Sequence, residues 1–318
     1  MATQQQIIAL VEAWRRRDDP RFEQYAKIIS ADARRKNPMS SLADHLDRLI
    51  GKGRVALESP KDRDSGMQLG RLREPKTTFE QMSLSPELQS TINQFLAEVD
   101  VWDQLEEHGV RRRNRALFYG PAGCGKTSLA SALADRLGRQ LLVVETAAVT
   151  SSLLGQTGKN LTRLFDFIEQ GSFVVLFDEF DTLGQSRGAE HDVGEMRRST
   201  NILLQKIEDY AGDSIIVAAT NFEGLLDDAL WRRFDLVAEL PLPRHDEIAS
   251  TLSSLNLDAG TTSEQAYRLV GKSHAAAAFA RDTAWRIALV AGRLAPSETD
   301  LTNAITATLE RPWTGPQA

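Results

Sequence analysis

The sequence predicts an α/β fold: a parallel sheet flanked by helices, followed by a C-terminal helical domain and preceded by a small N-terminal helical region. Three observations carry this prediction. Five short apolar runs, Ala116 to Tyr119, Gln140 to Glu145, Phe173 to Phe177, Ile215 to Ala219 and Leu236 to Leu240, alternate with helix-like stretches, and such alternation calls for crossover connections and parallel strands. A glycine-rich turn joins the first run to the helix-like Ser128 to Leu137. From Pro241 onward helical patterns take over.

Composition sets the bounds. A chain of 318 residues suggests two structural units, and 42% hydrophobic with 26% charged residues is the make-up of a soluble globular protein, not of a disordered or fibrous one. No stretch approaches the ~18 uninterrupted apolar residues of a membrane span. The opening Met-Ala-Thr-Gln-Gln-Gln, with Glu12 and Arg15 close behind, is unlike a secretory signal. The single cysteine, Cys124, excludes an intramolecular disulfide and a cysteine-rich metal site, which fits a reducing compartment. The expected location is the cytoplasm. A formal net charge of -6 gives no general reason to expect nucleic-acid binding.

In chain order, residues 1–50 show three one-sided helical patterns: Ile7, Leu10, Val11 and Trp14; Phe22, Tyr25, Ala26 and Ile29 behind Pro20; Leu42, Leu46, Leu49 and Ile50 behind Ser40 and Ser41. Three such short helices bury little surface, so this head is expected to lean on the main domain or a partner, and is read as a recruitment region. It lies at the basic end, residues 1–77 holding sixteen Lys/Arg against eleven Asp/Glu. The runs Arg15-Arg16-Arg17 and Arg34-Arg35-Lys36 read as solvated helix edges rather than a nucleic-acid patch. Residues 51–77 have linker composition, with Gly51, Gly53, Pro60, Gly66, Gly70 and Pro75 among scattered charges. The α/β domain is expected over 78–240. A helical lid domain is expected over 241–311, with helices from Asp246 to Leu255, Ser263 to Val270, Ser273 to Ala291 and after Thr299, and then a tail over 312–318.

Gly120-Pro121-Ala122-Gly123-Cys124-Gly125-Lys126-Thr127 fits the phosphate-loop pattern of two glycines four residues apart followed by Lys and Ser/Thr, with Ser128 opening the helix behind it. Glycines permit the tight turn in which successive backbone N–H groups point at phosphate oxygens, and the helix adds its positive end. Lys126 would reach the β and γ phosphates and the Thr127 hydroxyl would ligate Mg²⁺. A strand, this loop and a helix in that order predict a P-loop NTPase. Cys124 is read as the small residue the loop needs, although a modified thiol there would block nucleotide.

Three further constellations follow. Phe173 to Phe177 ends in Asp178 and Glu179; an acid at a strand tip can hold Mg²⁺ through water, and its neighbour can take a proton from an attacking water, which argues for hydrolysis rather than mere binding. Asp181 is read as the cap of the next turn. Ile215 to Thr220 ends in Asn221, which either orients the lytic water or closes a turn. Arg232 and Arg233, in Leu230-Trp231-Arg232-Arg233-Phe234-Asp235, are either surface charge or the cations that neutralise the transition state.

With these residues in place the chain resembles the AAA+ ATPases, in particular the AAA subgroup of protein-remodelling machines, from about Thr78-Phe79 to Ala307. By that resemblance Gly120 to Thr127 is Walker A and Asp178 with Glu179 is the Walker B pair. Asn221 is then sensor 1, and Arg232 with Arg233 are arginine fingers acting on a neighbouring subunit's ATP. The resemblance implies ATP and Mg²⁺ as ligands and a homo-oligomeric ring, usually a hexamer. The Arg-Arg-Phe form without an intervening glycine is similar to the microtubule-severing and membrane-scission branch, and the overall pattern resembles bacterial stand-alone AAA proteins. Gly271-Lys272-Ser273-His274-Ala275 resembles the turn into a lid helix that contacts adenine and ribose, which makes His274 and Ala275 candidate nucleotide contacts; alternatively Ser273 caps the helix and His274 is solvated.

Leu153, Leu154 and Gly155 align with the first pore loop, where threading members carry an aromatic at the position of Leu153. A leucine lacks the flat face of Tyr or Trp, so threading is left open. Arg187 to Glu195 resembles the second pore loop and equally suits a plain flexible loop. The functional expectation is an ATPase that remodels, unfolds or disassembles a protein partner recruited by the head. The alternative is a nucleotide-gated switch or adaptor controlling a partner enzyme such as a protease, and a DNA-acting AAA+ protein is the least favoured reading.

Overall fold

The computed structural model describes residues 4–15, 19–36, 59–62, 66–150, 157–180, 190–221 and 231–311. The chain divides into two compact units, Met1–Glu58 and Ser59–Ala318.

In the first unit two helices, Gln4–Arg15 and Asp19–Lys36, pack on each other. Pro20 falls in the first turn of the second helix, where its missing N–H interrupts no helical hydrogen bond. Ala26 and Ile29 are buried, and Gln6 Nε2 donates to Asp32 Oδ2 at 2.8 Å. Ile7, Ile8 and Val11 remain about half exposed. The third expected helix, Leu42 to Ile50, lies outside the described residues.

The second unit is built on a six-stranded sheet of order β1-β3-β4-β5-β2-β6, the strands being β1 Gly70–Arg73, β2 Arg115–Tyr119, β3 Gln140–Val144, β4 Phe173–Phe177, β5 Ile215–Thr220 and β6 Leu236–Glu239. β2 through β6 run parallel. Every residue of β4 and β5 is buried, as central strands covered on both faces require. Ala116, Phe118, Val174, Leu176 and Val217 pack on one face with Leu129 and Leu133 of the helix Lys126–Arg136 and with Ile92 and Phe95 of the helix Pro86–Asp100. The alternate residues Val175, Phe177 and Ile216 point to the opposite face. They are buried too, as are Leu161, Leu164 and Ile168 of the helix Thr157–Ile168 and Leu203 and Ile207 of the helix Glu190–Asp209.

β1 corrects the sequence reading. The stretch 51–77 was expected to be linker, yet Ser59 onward belongs to the second unit. Leu69 is fully buried, Lys61 bridges Gln68, and β1 pairs antiparallel with β3 from Gly70 opposite Val144 to Arg73 opposite Leu141. Gly-Arg-Leu-Arg is too short and too charged to show strand periodicity. Its exposed Arg71 and Arg73 suit an edge strand, where charge discourages pairing with another chain.

After β6 come four helices, His245–Ser253, Ala259–Tyr267, His274–Val290 and Glu298–Glu310, around their own core of Ile248, Leu252, Leu269, Ala280, Ala284, Leu301 and Ile305. The alanine face of His274–Val290 lets the last helix approach closely. Caps fix the starts: Asp258 accepts from Gly260 and Thr261 N–H, Ser273 from Ala276 N–H, and Ser297 and Asp300 form a capping box. Among the described residues no helix is long and apolar enough to cross a membrane.

Candidate functional site

Register brings three of the sequence-read segments to one end of the sheet. β5 lies between β4 and β2, with Phe177 opposite Ala218 and Tyr119 opposite Thr220. The residues that follow, Gly120, Asp178 and Asn221, therefore emerge side by side at the carboxyl edge, where ligands bind in open α/β sheets.

The loop after β2 has the backbone its glycines allow. Gly120, Gly123 and Gly125 have φ of +133°, +77° and +96°. At Gly120 a side chain is impossible, since a Cβ would stand 2.2 Å from the Leu240 carbonyl oxygen. Gly125 is the N-cap of the helix Lys126–Arg136, so the helix's positive end faces the loop. Pro121, Ala122 and Gly123 are exposed along the rim and Ser128, the third residue of the helix, lies half-buried. Lys126 is buried, its Nζ donating to the carbonyls of Gly120 at 2.7 Å and Pro121 at 2.9 Å. The ammonium thus lies folded against the loop that frames the phosphate cradle.

Asp178 ties this loop to β4. Its Oδ2 accepts from Thr127 Oγ1 at 2.7 Å and its Oδ1 from Glu179 N–H at 3.0 Å. Thr146 Oγ1 donates to the Asp178 carbonyl at 3.2 Å, a support that no sequence pattern signalled. A hydroxyl touching a carboxylate supplies the hard oxygen donors that Mg²⁺ takes from a protein, the ion completing its shell with water and phosphate. The donor set fits Mg·nucleotide on that ground. Glu179 is exposed and holds φ +50°, a left-handed conformation uncommon for a side chain of its kind and one that clusters at functional sites. A cleft of about 760 Å³ opens from Thr127, Asp178 and Glu179 past Glu145 to Arg73 and Lys76 of the segment around β1.

Cys124 is buried, and its surroundings push the thiol above its ordinary pKa, desolvation outweighing the Lys126 charge and a backbone hydrogen bond from His274. That agrees with a packing role and opposes thiol reactivity.

The four-helix region touches the loop directly. Ala275 N–H donates to the Gly123 carbonyl at 3.0 Å, and a Cβ on Gly123 would meet Ser273 Oγ at 2.8 Å. Ser273 does cap its helix, and His274 is half-buried beside the loop, with burial lowering its imidazole pKa.

Asn221 is exposed at the tip of β5. Arg232 is exposed and makes no hydrogen bond or ion pair with any described residue. Arg233 is half-buried, its Nε 3.6 Å from Glu208 Oε2. Asp181, Leu153, Leu154, Gly155 and Arg187 to Gly188 and Ala189 lie outside the described residues, as do the side chains of Glu190 to Glu195.

Comparison with known proteins agrees with this geometry. The model of the ATPase family associated with various cellular activities (AAA) matches residues 116–242, which span the loop, the Asp178–Glu179 pair, Asn221 and both arginines. An uncharacterized AAA family ATPase, y4kL, of Sinorhizobium fredii is 41% identical over 135 residues, 42% of this chain and 41% of that protein. A proteasome-activating nucleotidase of Methanoculleus marisnigri is 33% identical over 188 residues, 57% of this chain and 45% of its own. The peroxisomal ATPase PEX6 of Saccharomyces cerevisiae is 33% identical over 150 residues, 45% of this chain and 15% of its own. The chain thus spans less than half the length of these relatives. Over residues 116–242, the stretch that brings the phosphate loop and the acidic pair to one sheet edge, the chain is similar to the AAA family of ATPases.

Proposed function

We propose that the chain hydrolyses Mg·ATP within a homo-oligomeric ring, a hexamer in the form typical of the resemblance, and uses the cycle to remodel a protein partner. Nucleotide would lie between the phosphate loop and the lid helix His274–Val290, with Gly120 to Thr127 and Ser128 around the phosphates and His274 and Ala275 near base and ribose. Mg²⁺, held through Thr127 and Asp178, would supply charge neutralisation at the phosphates. Lys126 leaves its two loop carbonyls for phosphate oxygens. Glu179, outside the strand and solvent-accessible, takes the proton of the attacking water, and Asn221 on the adjacent strand tip orients that water.

The observation that carries the ring is Arg232: an exposed guanidinium without a described partner, on a turn otherwise fastened down, is free to serve another copy's site. The name that one set of relatives carries, proteasome-activating nucleotidase, supports a protein partner. The basic N-terminal unit would recruit the partner. The domain division proposed is head, connecting segment, α/β domain and lid.

The test is ATPase rate against protein concentration, for the parent chain and for Arg232→Ala with Arg233→Ala, with mass followed by light scattering. Specific activity should rise with concentration and fall by about 10³-fold or more in the variant. Activity independent of both would show a self-sufficient monomer and end this reading. A second reading, a nucleotide-gated adaptor that controls a partner enzyme, is favoured by the proteasome-activating relatives and by Leu153 in place of an aromatic. Leu153→Ala should abolish remodelling and spare such a switch.

A further inference from the structure

The turn bearing Arg232 and Arg233 is held by its own chain at three points. Asp235 grips the start of β2: its Oδ1 accepts from Arg115 Nη2 at 2.6 Å, and its Oδ2 from Arg115 Nε at 2.9 Å and from the N–H groups of Arg115 and Asn114 at 3.2 and 3.3 Å. Asp235 N–H returns a bond to the Arg115 carbonyl at 2.9 Å. The second point is Trp231, whose ring stands edge-on to Tyr119, the last residue of β2, with centroids 4.9 Å apart. The third is Phe234, edge-on to Phe180 at 6.4 Å, next to Glu179.

The ion pair is well buried, its side chains 7% and 17% exposed. Burying such a pair costs desolvation that an apolar pair of similar volume would not incur. What the bidentate fork adds is direction, because two parallel N–H···O bonds fix the mutual orientation of the elements that carry them. Those elements are the strand leading into the phosphate loop and the turn leading out of the two arginines. Arg115 Nη1 extends the frame by donating to the Glu208 carbonyl at 3.1 Å, and Glu208 is the residue whose carboxylate faces Arg233.

We propose that Asp235 and Arg115 are positioning residues for Arg232 and Arg233. Their pair makes the turn a rigid extension of the phosphate-loop strand, so a subunit's own site and the cations it presents to the next subunit move as one body. This rests on the reading in which the two arginines act on a neighbouring copy, and it adds which residues aim them.

The test is complementation between full-length variants. Asp235→Asn keeps its own phosphate loop but presents misaimed arginines, so alone it should lose about 10²-fold in kcat, the cost of a small misplacement of a reacting group. Its affinity for a fluorescent ATP analogue should stay within about twofold of the parent, since the loss sits in positioning rather than in ground-state binding. Mixed with Glu179→Gln, which cannot hydrolyse but offers well-aimed arginines, it should regain activity severalfold. Arg115→Met with Asp235→Leu replaces the pair by apolar groups, guards against misfolding of the single variant, and should give the same loss and the same recovery.

The control mixes Arg232→Ala/Arg233→Ala with Glu179→Gln. If that control regains no activity, the neighbour-acting reading itself fails. If the control recovers and neither Asp235 variant does, or if nucleotide affinity falls as far as kcat, the pair acts on its own loop and the positioning role is wrong.

Discussion

Gly123→Ala tests whether the lid helix reads the phosphate loop by direct contact. Gly123 sits at φ +77°, where an alanine costs about 1–2 kcal/mol. The added methyl would stand 2.8 Å from Ser273 Oγ and 3.0 Å from Ala275 Cβ, so the start of the lid helix must retreat. Retreat breaks the Ala275 N–H bond to the Gly123 carbonyl, worth about 1 kcal/mol. Together these weaken the nucleotide-ready arrangement by about 2–3 kcal/mol, or about 30- to 150-fold in affinity. Fluorescent-ATP titration by anisotropy measures it. Adding Ser273→Gly removes the nearest obstacle, and glycine is nearly as good a cap, so the double variant should recover to a deficit of about 5- to 30-fold, the backbone part alone. Binding by Gly123→Ala within twofold of the parent, or no recovery on adding Ser273→Gly, would refute a lid that senses the loop at this point.

Three further outcomes are expected. Glu179→Gln should bind ATP with little change yet hydrolyse it about 10²- to 10⁴-fold more slowly; undiminished turnover in a phosphate-release assay would remove Glu179 as the base. The Arg293 guanidinium and the Ser297 cap hold the Asp300 carboxyl well below its ordinary 3.8. A depressed carboxylate stabilises the fold above its unfolded pKa, and that contribution is lost as pH falls through the folded value. Melting temperature should therefore drop below about pH 4 in the parent and less steeply in Asp300→Asn; parallel curves would show that the pair carries no pH-linked stability. Cys124 should alkylate much more slowly with iodoacetamide at neutral pH than free cysteine, because burial holds its thiol protonated; mass spectrometry showing rapid labelling would contradict the buried placement.

Much of this architecture was legible because the relevant signals are local. The loop from Gly120 to Thr127 announces itself through residue types whose backbone and side-chain needs are met within eight positions. The five apolar runs became the five parallel strands, since a strand buried on both faces can be made of little else. What escaped was long-range or weakly patterned. Arg115 closes a basic run from Arg111 and looks like solvated charge; only the placement of β6 beside β2 brings Asp235 to it, 120 positions away. β1 has a single apolar side chain and is a strand because β3 has a free edge. Thr146 gave no hint of its bond to Asp178, as a threonine after a strand has many possible uses.

The contact between Gly120 and the Leu240 carbonyl has a mechanical meaning. Leu240 is where the sheet ends and the chain turns toward the lid, and its N–H is bonded to the Tyr119 carbonyl. The eight-residue loop is therefore pinched between a fulcrum at Leu240 and a bearing at Ala275. From that bearing the helix His274–Val290 extends roughly 24 Å. A tilt of about 10° at the loop would sweep its far end through about 4 Å, carrying Leu289 and Val290, 58% and 89% exposed, with it. With nucleotide placed at this loop, as proposed above, the helix would act as a lever whose short arm rests on the loop and whose apolar tip lies at the end of the long one.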